Sequence, residues 1–203
     1  MKIAATLPNL ATWDVGVVSD PTDRALVASI AKGDKQAVRV LFARHKVRIF
    51  RFALRLLNDE AAADDVVSEV FLEVWRNAAT FEGRSQVSTW LLGIARNLAL
   101  TMLRRRSTEE LDEGMAEAIE DTADDPEIAM RKAQQSAILS ECLKRLSPAH
   151  REIVDLVYYH EKSINDVAEI LHIPRNTVKT RLFYARNEIA KLLKGFSVDR
   201  AMA

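Results

Sequence analysis

Apolar residues recur at three- and four-residue intervals over most of this chain, and no stretch sustains the alternation of a strand. An all-α fold is expected. Thr22 or Asp23 can cap a first helix through Ala25, Leu26, Ile30 and Ala31, ended at Gly33. Asp34 caps a longer helix, about Lys35 to Leu57. It carries Val38, Leu41, Phe42, Ile49, Phe50, Ala53, Leu54 and Leu57 on one face and Arg39, Arg44, Lys46, Arg48, Arg51 and Arg55 on the other. Asn58-Asp59 closes it and opens a third helix, about Glu60 to Asn77. Its buried stripe is expected to be Val66, Val67, Val70, Phe71, Val74 and Trp75, with Asp64, Asp65, Ser68, Glu69 and Glu73 outside. Acids at this end suit the helix dipole.

The polar run Thr80 to Val87, centred on Gly83, predicts a loop. Ser88 is the expected cap of a fourth helix, about Thr89 to Arg106, with Trp90, Leu91, Ile94, Leu98 and Leu103 inward. Arg96, Asn97, Thr101, Arg104, Arg105 and Arg106 fall off that face. From Ser107 to Glu127 acidity, small residues and Pro126 argue against a packed core. A further helix is predicted from about Pro126 to Leu146. Ser147-Pro148, a cap followed by proline at the first helical position, opens another to about His160. Ser163 caps Ile164 to Leu171, His172-Ile173 is a turn, and Pro174 opens the last helix, to about Leu193.

The predicted organisation is therefore a flexible tail at 1–21, a helical domain at 22–106, an acidic flexible linker at 107–130, a second small helical domain at 131–194, and a short tail at 195–203. The formal charge of zero hides this layout. Residues 22–106 hold 15 basic against 9 acidic side chains, 107–130 hold 10 acidic and no basic ones, and 131–203 hold 13 basic against 8 acidic. Two basic blocks around an acidic one suit a protein that meets phosphate backbones.

Several function classes have little support. Cys142 is the only cysteine, so no internal disulfide forms, and its apolar helical surroundings predict a buried, inert thiol. His45, His150, His160 and His172 have no metal-ligand spacing, and no glycine-rich phosphate loop is present. No enzymatic chemistry, metal or cofactor is expected. No apolar run approaches a membrane span, and the N-terminus lacks the pattern of a secretory signal, so a cytoplasmic protein without direct membrane insertion is expected.

The pair of helices at 164–193 has a specific chemistry. Ile164, Val167, Ala168, Leu171, Ile173, Val178, Leu182, Ala185 and Ile189 face inward. That turns Arg175, Asn176, Thr177, Lys179, Thr180, Arg181, Tyr184 and Arg186 outward. Arginine and asparagine can pair with base edges in the major groove, while lysine, threonine and tyrosine more often hold phosphates. This is the pattern of a helix-turn-helix whose second helix enters the groove.

The run Asp64-Asp65-Val66-Val67-Ser68-Glu69-Val70-Phe71 with Trp75, the run Ser88-Thr89-Trp90-Leu91-Leu92-Gly93-Ile94-Ala95-Arg96-Asn97, and Leu146-Ser147-Pro148 with Arg151-Glu152-Ile153-Val154 ahead of the helix-turn-helix together resemble the extracytoplasmic-function class of bacterial sigma factors. The resemblance covers about residues 22–194. It implies that 22–106 look like sigma region 2 and 131–194 like sigma region 4, acting with RNA polymerase core on promoter DNA. Region 2 would dock on the clamp helices of the largest subunit, with Arg48, Arg51, Asp64, Asp65 and Glu69 as contacts. The loop Phe81 to Val87, with Phe81, Gly83, Arg84 and Ser85, would capture a flipped base of the minus-ten element. Arg96, Asn97, Thr101, Arg104 and Arg105 would hold the DNA. Region 4 would read the minus-thirty-five element while docking on the polymerase flap. The acidic linker would enter the basic RNA path, or serve as a soluble tether kept off DNA by repulsion. An anti-sigma factor is the further partner implied.

Two other readings use the same residues. A sigma-like decoy that titrates an anti-sigma factor need not keep the basic helices at Arg104 to Arg106 and Arg175 to Arg186. An ordinary helix-turn-helix regulator leaves the polar loop and the Ser88-Thr89-Trp90 motif unexplained.

Overall fold

The computed structural model describes residues 21–109 and 138–201. The predicted N-terminal tail up to residue 20, most of the acidic linker and the start of the helix predicted from Pro126 lie outside the described residues. Among the described residues there is no strand.

Local side-chain caps set most helix starts. α1 (Asp23–Ile30) begins where the Thr22 hydroxyl accepts the Ala25 amide at 3.2 Å. α2 (Lys35–Leu57) begins where Asp34 accepts the amides of Gln36 and Ala37, and ends on Asn58 in the left-handed region, φ 55°. Asp59 then caps α3 (Glu60–Asn77) through the Ala62 amide at 2.9 Å. A short 3-10 turn, Ala78–Thr80, leads into the loop.

α4 spans Val87–Glu109. Ser88 is thus not its cap but lies in its first turn, because the Gln86 carbonyl already accepts the amides of Thr89 and Trp90. α5 is helical over 138–145. Ser147 accepts the His150 amide and Pro148 opens α6 (Pro148–Val154), which runs on as a π-turn over Asp155–Tyr159. α7 (Ile164–Leu171) starts in a reciprocal capping box between Ser163 and Asp166 and stops on His172, φ 52°. α8 (Arg175–Ala201) continues beyond Leu193, where the last helix was expected to end.

α2, α3 and α4 pack on one another with α1 across α2, and α6, α7 and α8 form a second bundle. α7 also packs against α4, so buried residues from both bundles join one continuous core. This explains two departures from the predicted faces. Phe52, outside the predicted stripe of α2, is 1% exposed, with its ring edge-on to His160 of the second bundle at 5.3 Å. Leu92, Ala95 and Ala99 are buried beside Leu91 because α4 is covered both by α2 and α3 and by α7.

Trp75 corrects the prediction for α3. It is 40% exposed, beside an exposed Leu72. One residue past Val74 is a 100° step round the helix, which carries the indole off the buried stripe. Cys142 is buried, and burial raises its thiol above the ordinary range. No described helix is long and apolar enough to cross a membrane.

Candidate nucleic-acid interface

The loop between α3 and α4 folds back on its own base. Phe81 packs on Trp90 with ring centroids 4.8 Å apart, and Gly83 takes φ 68°, a conformation that favours glycine. The Trp90 ring is half-buried in this contact, in keeping with a packing role. Beside it lies a cleft of about 540 Å³ whose walls include Asp23, Arg24, Phe81, Arg84, Ser85 and Asp166. Of the predicted loop residues, Phe81, Arg84 and Ser85 thus meet at one cleft, and Gly83 forms the turn behind it. Arg84 is exposed and pairs with Glu82 at 2.5 Å. An exposed pair of this kind holds little energy and opens readily to a phosphate.

The predicted DNA-facing residues of α4 have diverse partners. Asn97, Thr101, Arg104 and Arg105 are exposed. The Thr101 hydroxyl donates to the Asn97 carbonyl at 2.8 Å, within its own helix. Arg106 reaches Asp59 at 2.7 Å. Arg96 is turned towards the second bundle. Its Nε and Nη2 donate to the two oxygens of Glu152 at 2.7 and 3.4 Å, with both side chains under one-fifth exposed.

That pair is one of a series of contacts from bundle to bundle. Thr89 Oγ1 donates to Asp166 Oδ1 at 3.0 Å, and Lys162 Nζ donates to Ser88 Oγ at 2.5 Å. Burial works against the Asp166 charge, but hydrogen bonds from Ser163 and Thr89 and the nearby Lys162 outweigh it and hold its carboxyl below the ordinary carboxylate range. Burial lowers the pKa of Lys162; Asp166 offsets part of this and Arg48 adds to it. Arg51 donates to the Tyr159 hydroxyl at 2.5 Å, and Arg55 pairs with Asp155 while its guanidinium stacks 3.7 Å from the Tyr159 ring centroid.

These contacts bear on the predicted polymerase set. Arg48 and Arg51 border the second bundle, whereas Asp64 and Asp65 are exposed on α3. Glu69 lies 3.3 Å from Arg76 on the same helix.

On α8, Arg175, Asn176, Lys179, Thr180, Tyr184 and Arg186 are exposed, and Thr177 and Arg181 are half-buried. The Thr180 hydroxyl bonds back to the Asn176 carbonyl at 2.9 Å. Arg186 Nε donates to the Tyr158 hydroxyl at 2.5 Å, which leans it towards α6. Glu188 lies 3.2 Å from His150 Nδ1, so this acid of the helix points at α6. Phe183, 60% exposed beside Tyr184, belongs to the surface too. Its side chain carries no hydrogen-bonding group, and the one sequence signal for its exposure is that it follows Leu182 at an outward step of the helix. Among the described residues no group of three His, Cys, Asp or Glu side chains could hold a metal ion.

Comparison with known proteins places both surfaces in one family. Residues 41–109 match Sigma-70 region 2, and residues 136–192 match Sigma-70, region 4. The ECF RNA polymerase sigma-E factor of Haemophilus influenzae is 31% identical over 180 residues, covering 83% of this chain and 93% of that protein. The ECF RNA polymerase sigma factor SigW of Bacillus subtilis is 29% identical over 177 residues, covering 83% of this chain and 95% of that one. The fold is shared with CnrH, solved in complex with the cytosolic domain of CnrY, at 24% identity and a TM-score of 0.60, covering 85% of this chain and 97% of that one. It is shared as well with RpoE of Bartonella quintana, solved with the anti-sigma factor NepR, at 24% identity and a TM-score of 0.63, covering 77% and 96%. With its two sigma regions in order and a relative of this identity matched over nearly its whole length, the chain belongs to the ECF class of RNA polymerase sigma factors, in the sigma-70 family.

Proposed function

We propose that the two bundles divide promoter recognition from promoter opening. α8 enters the major groove of the minus-thirty-five element, with Arg175, Asn176 and Arg181 at base edges and Lys179, Thr180 and Tyr184 on phosphates. The loop Phe81 to Val87 takes an unstacked minus-ten base into the cleft, which must offset the few kcal/mol of unstacking. Asn97, Thr101, Arg104 and Arg105 hold the neighbouring backbone. Arg48, Arg51, Asp64, Asp65 and Glu69 dock on the clamp helices of core polymerase, and region 4 docks on the flap. The chain lends recognition to an enzyme and performs no catalysis of its own. It acts in the cytoplasm, where its promoter and polymerase are.

The observation that carries this reading is the match of region 2 and region 4, in order, to two bundles that each present a surface suited to nucleic acid. The contacts between bundles refine it. Glu152 occupies Arg96, and Asp166 forms part of the cleft wall, so both acids must withdraw before α4 and the loop meet DNA. An anti-sigma factor is the partner suited to stabilise such an unengaged form; the complex of RpoE with the anti-sigma factor NepR supports that assignment.

Purified protein with core polymerase is expected to give promoter-dependent transcripts, and protein alone to bind promoter DNA weakly. Absence of core binding at micromolar concentrations would make the sigma assignment wrong and favour the decoy.

A further inference from the structure

The start of α1 holds a side chain against the loop. Asp23 anchors this end: its carboxylate lies 2.7 Å from Arg44 Nη1 and 2.6 Å from His45 Nε2, and Arg44 also donates to the Pro21 carbonyl at 2.7 Å. Leu26, Val27 and Ile30 bury the rest of the helix. Arg24, one residue beyond the anchor, donates through Nη2 to the Gly83 carbonyl at 3.2 Å, across 59 residues of sequence. Its guanidinium fills the space that a side chain at Gly83 would take: a Cβ built there overlaps it. A methyl at Gly83 would therefore push the guanidinium off its carbonyl, because the end of an arginine moves freely, and would add backbone strain at φ 68°.

We propose that Arg24 is a positioning residue for the minus-ten loop. It pins the turn at Gly83, which keeps Phe81 on Trp90 and the cleft in a shape that admits an unstacked base. The inference rests on the base-capture reading of this loop. An exposed hydrogen bond adds little to global stability, so the effect is expected in loop geometry and strand opening.

Acrylamide quenching of Trp90 in the free full-length protein reads the loop directly, using a chain in which Trp13 and Trp75 are changed to Phe. Arg24→Ala is expected to raise the quenching constant. Arg24→Lys should restore it in part, since an ammonium can reach the carbonyl but cannot cover the turn. In the otherwise unsubstituted chain with core polymerase, Arg24→Ala should lower permanganate reactivity of the promoter by about two- to tenfold, the range of one net hydrogen bond, with affinity for core unchanged. Gly83→Ala should impair opening less in the Arg24→Ala background than alone, because the two changes disrupt the same contact.

Unchanged Trp90 quenching in Arg24→Ala, full rescue by lysine, or additive effects of the two substitutions would overturn the proposal and leave Arg24 as a phosphate-facing cation. Raised quenching with unchanged permanganate reactivity would overturn it as well. Failure of the unsubstituted protein to open a promoter would count against the base-capture reading instead, because the quenching measurement involves no promoter.

Discussion

The region 2 bundle and the region 4 bundle reach helical order by different means. Region 2 relies on length: α2 and α4 are 23 residues each, and their buried residues run along more than one face. Region 4 joins one long helix, the 27-residue α8, to two short ones: α6 and α7 are only 7 and 8 residues, delimited by Ser147, the Ser163–Asp166 box and His172. Short helices gain little from their own backbone bonds, so caps and tertiary contacts decide where they stand. The difference also sorts the chemistry. Region 2 brings Arg96 and Arg55 to the junction, where region 4 meets them with Glu152 and Asp155, while Asp166 accepts from the Thr89 hydroxyl. Region 4 thus supplies anions that cover two cations of region 2.

That contrast can be broken hardest at Phe52, a fully buried region 2 residue that touches His160 of region 4. Phe52→Ala should cost about 3–5 kcal/mol of unfolding free energy in denaturant titrations, the usual range for a buried aromatic. Loss should show in both bundles by hydrogen exchange; protection lost in region 2 alone would mean that they are energetically separate. Glu152→Gln is the next largest. It should weaken the junction by about 1–3 kcal/mol, the worth of a hydrogen bond to a charged group in a partly covered site. Dyes on the two bundles should then move apart, and the free protein should bind promoter duplex more tightly as Arg96 is released. Unchanged distance and affinity would remove Glu152 from the account.

The smallest effect is on acidification. Asp166, between the bundles, and Asp23, within region 2, both have folded pKa values held below 3.8. Burial opposes the charge at Asp23 also, but Arg44 and His45 outweigh it. Each contribution is therefore complete above the unfolded value and lost as pH falls through the folded one. Asp166→Asn should flatten this acid loss at the junction and leave α1 unaffected, and Asp23→Asn should do the reverse. Lys162 runs in the opposite sense: its folded pKa lies below 10.5, so its cost to folding declines as pH rises through that folded value.

Much of the fold was legible because its signals are local. The caps at Thr22, Asp34, Asp59, Ser147 and Ser163 lie two or three residues from the amides they bind. The inward face of the helix-turn-helix follows helical spacing, and Val167, Leu171, Val178, Leu182 and Ala185 are buried as expected; Ile170, outside the expected face, is buried as well. Trp75 was misplaced because a single residue step at the end of a stripe changes the face. Phe52, Leu92 and Arg96 were not legible in their actual roles, since a second bundle covers them. The polar pairs that join the bundles connect positions 56 to 108 residues apart, beyond any periodicity. The same holds for Arg24: nothing in the sequence near it indicates a carbonyl 59 residues away.

The division of labour is tested most directly by permanganate footprinting of promoter complexes formed with core polymerase, comparing Arg84→Ala/Ser85→Ala in the loop with Arg175→Ala/Arg181→Ala in α8. The α8 pair is expected to lower promoter occupancy while leaving the reactivity per bound complex intact. The loop pair is expected to keep occupancy and lose the reactive thymines of the minus-ten element. Parallel loss of occupancy and reactivity in both variants would contradict the account.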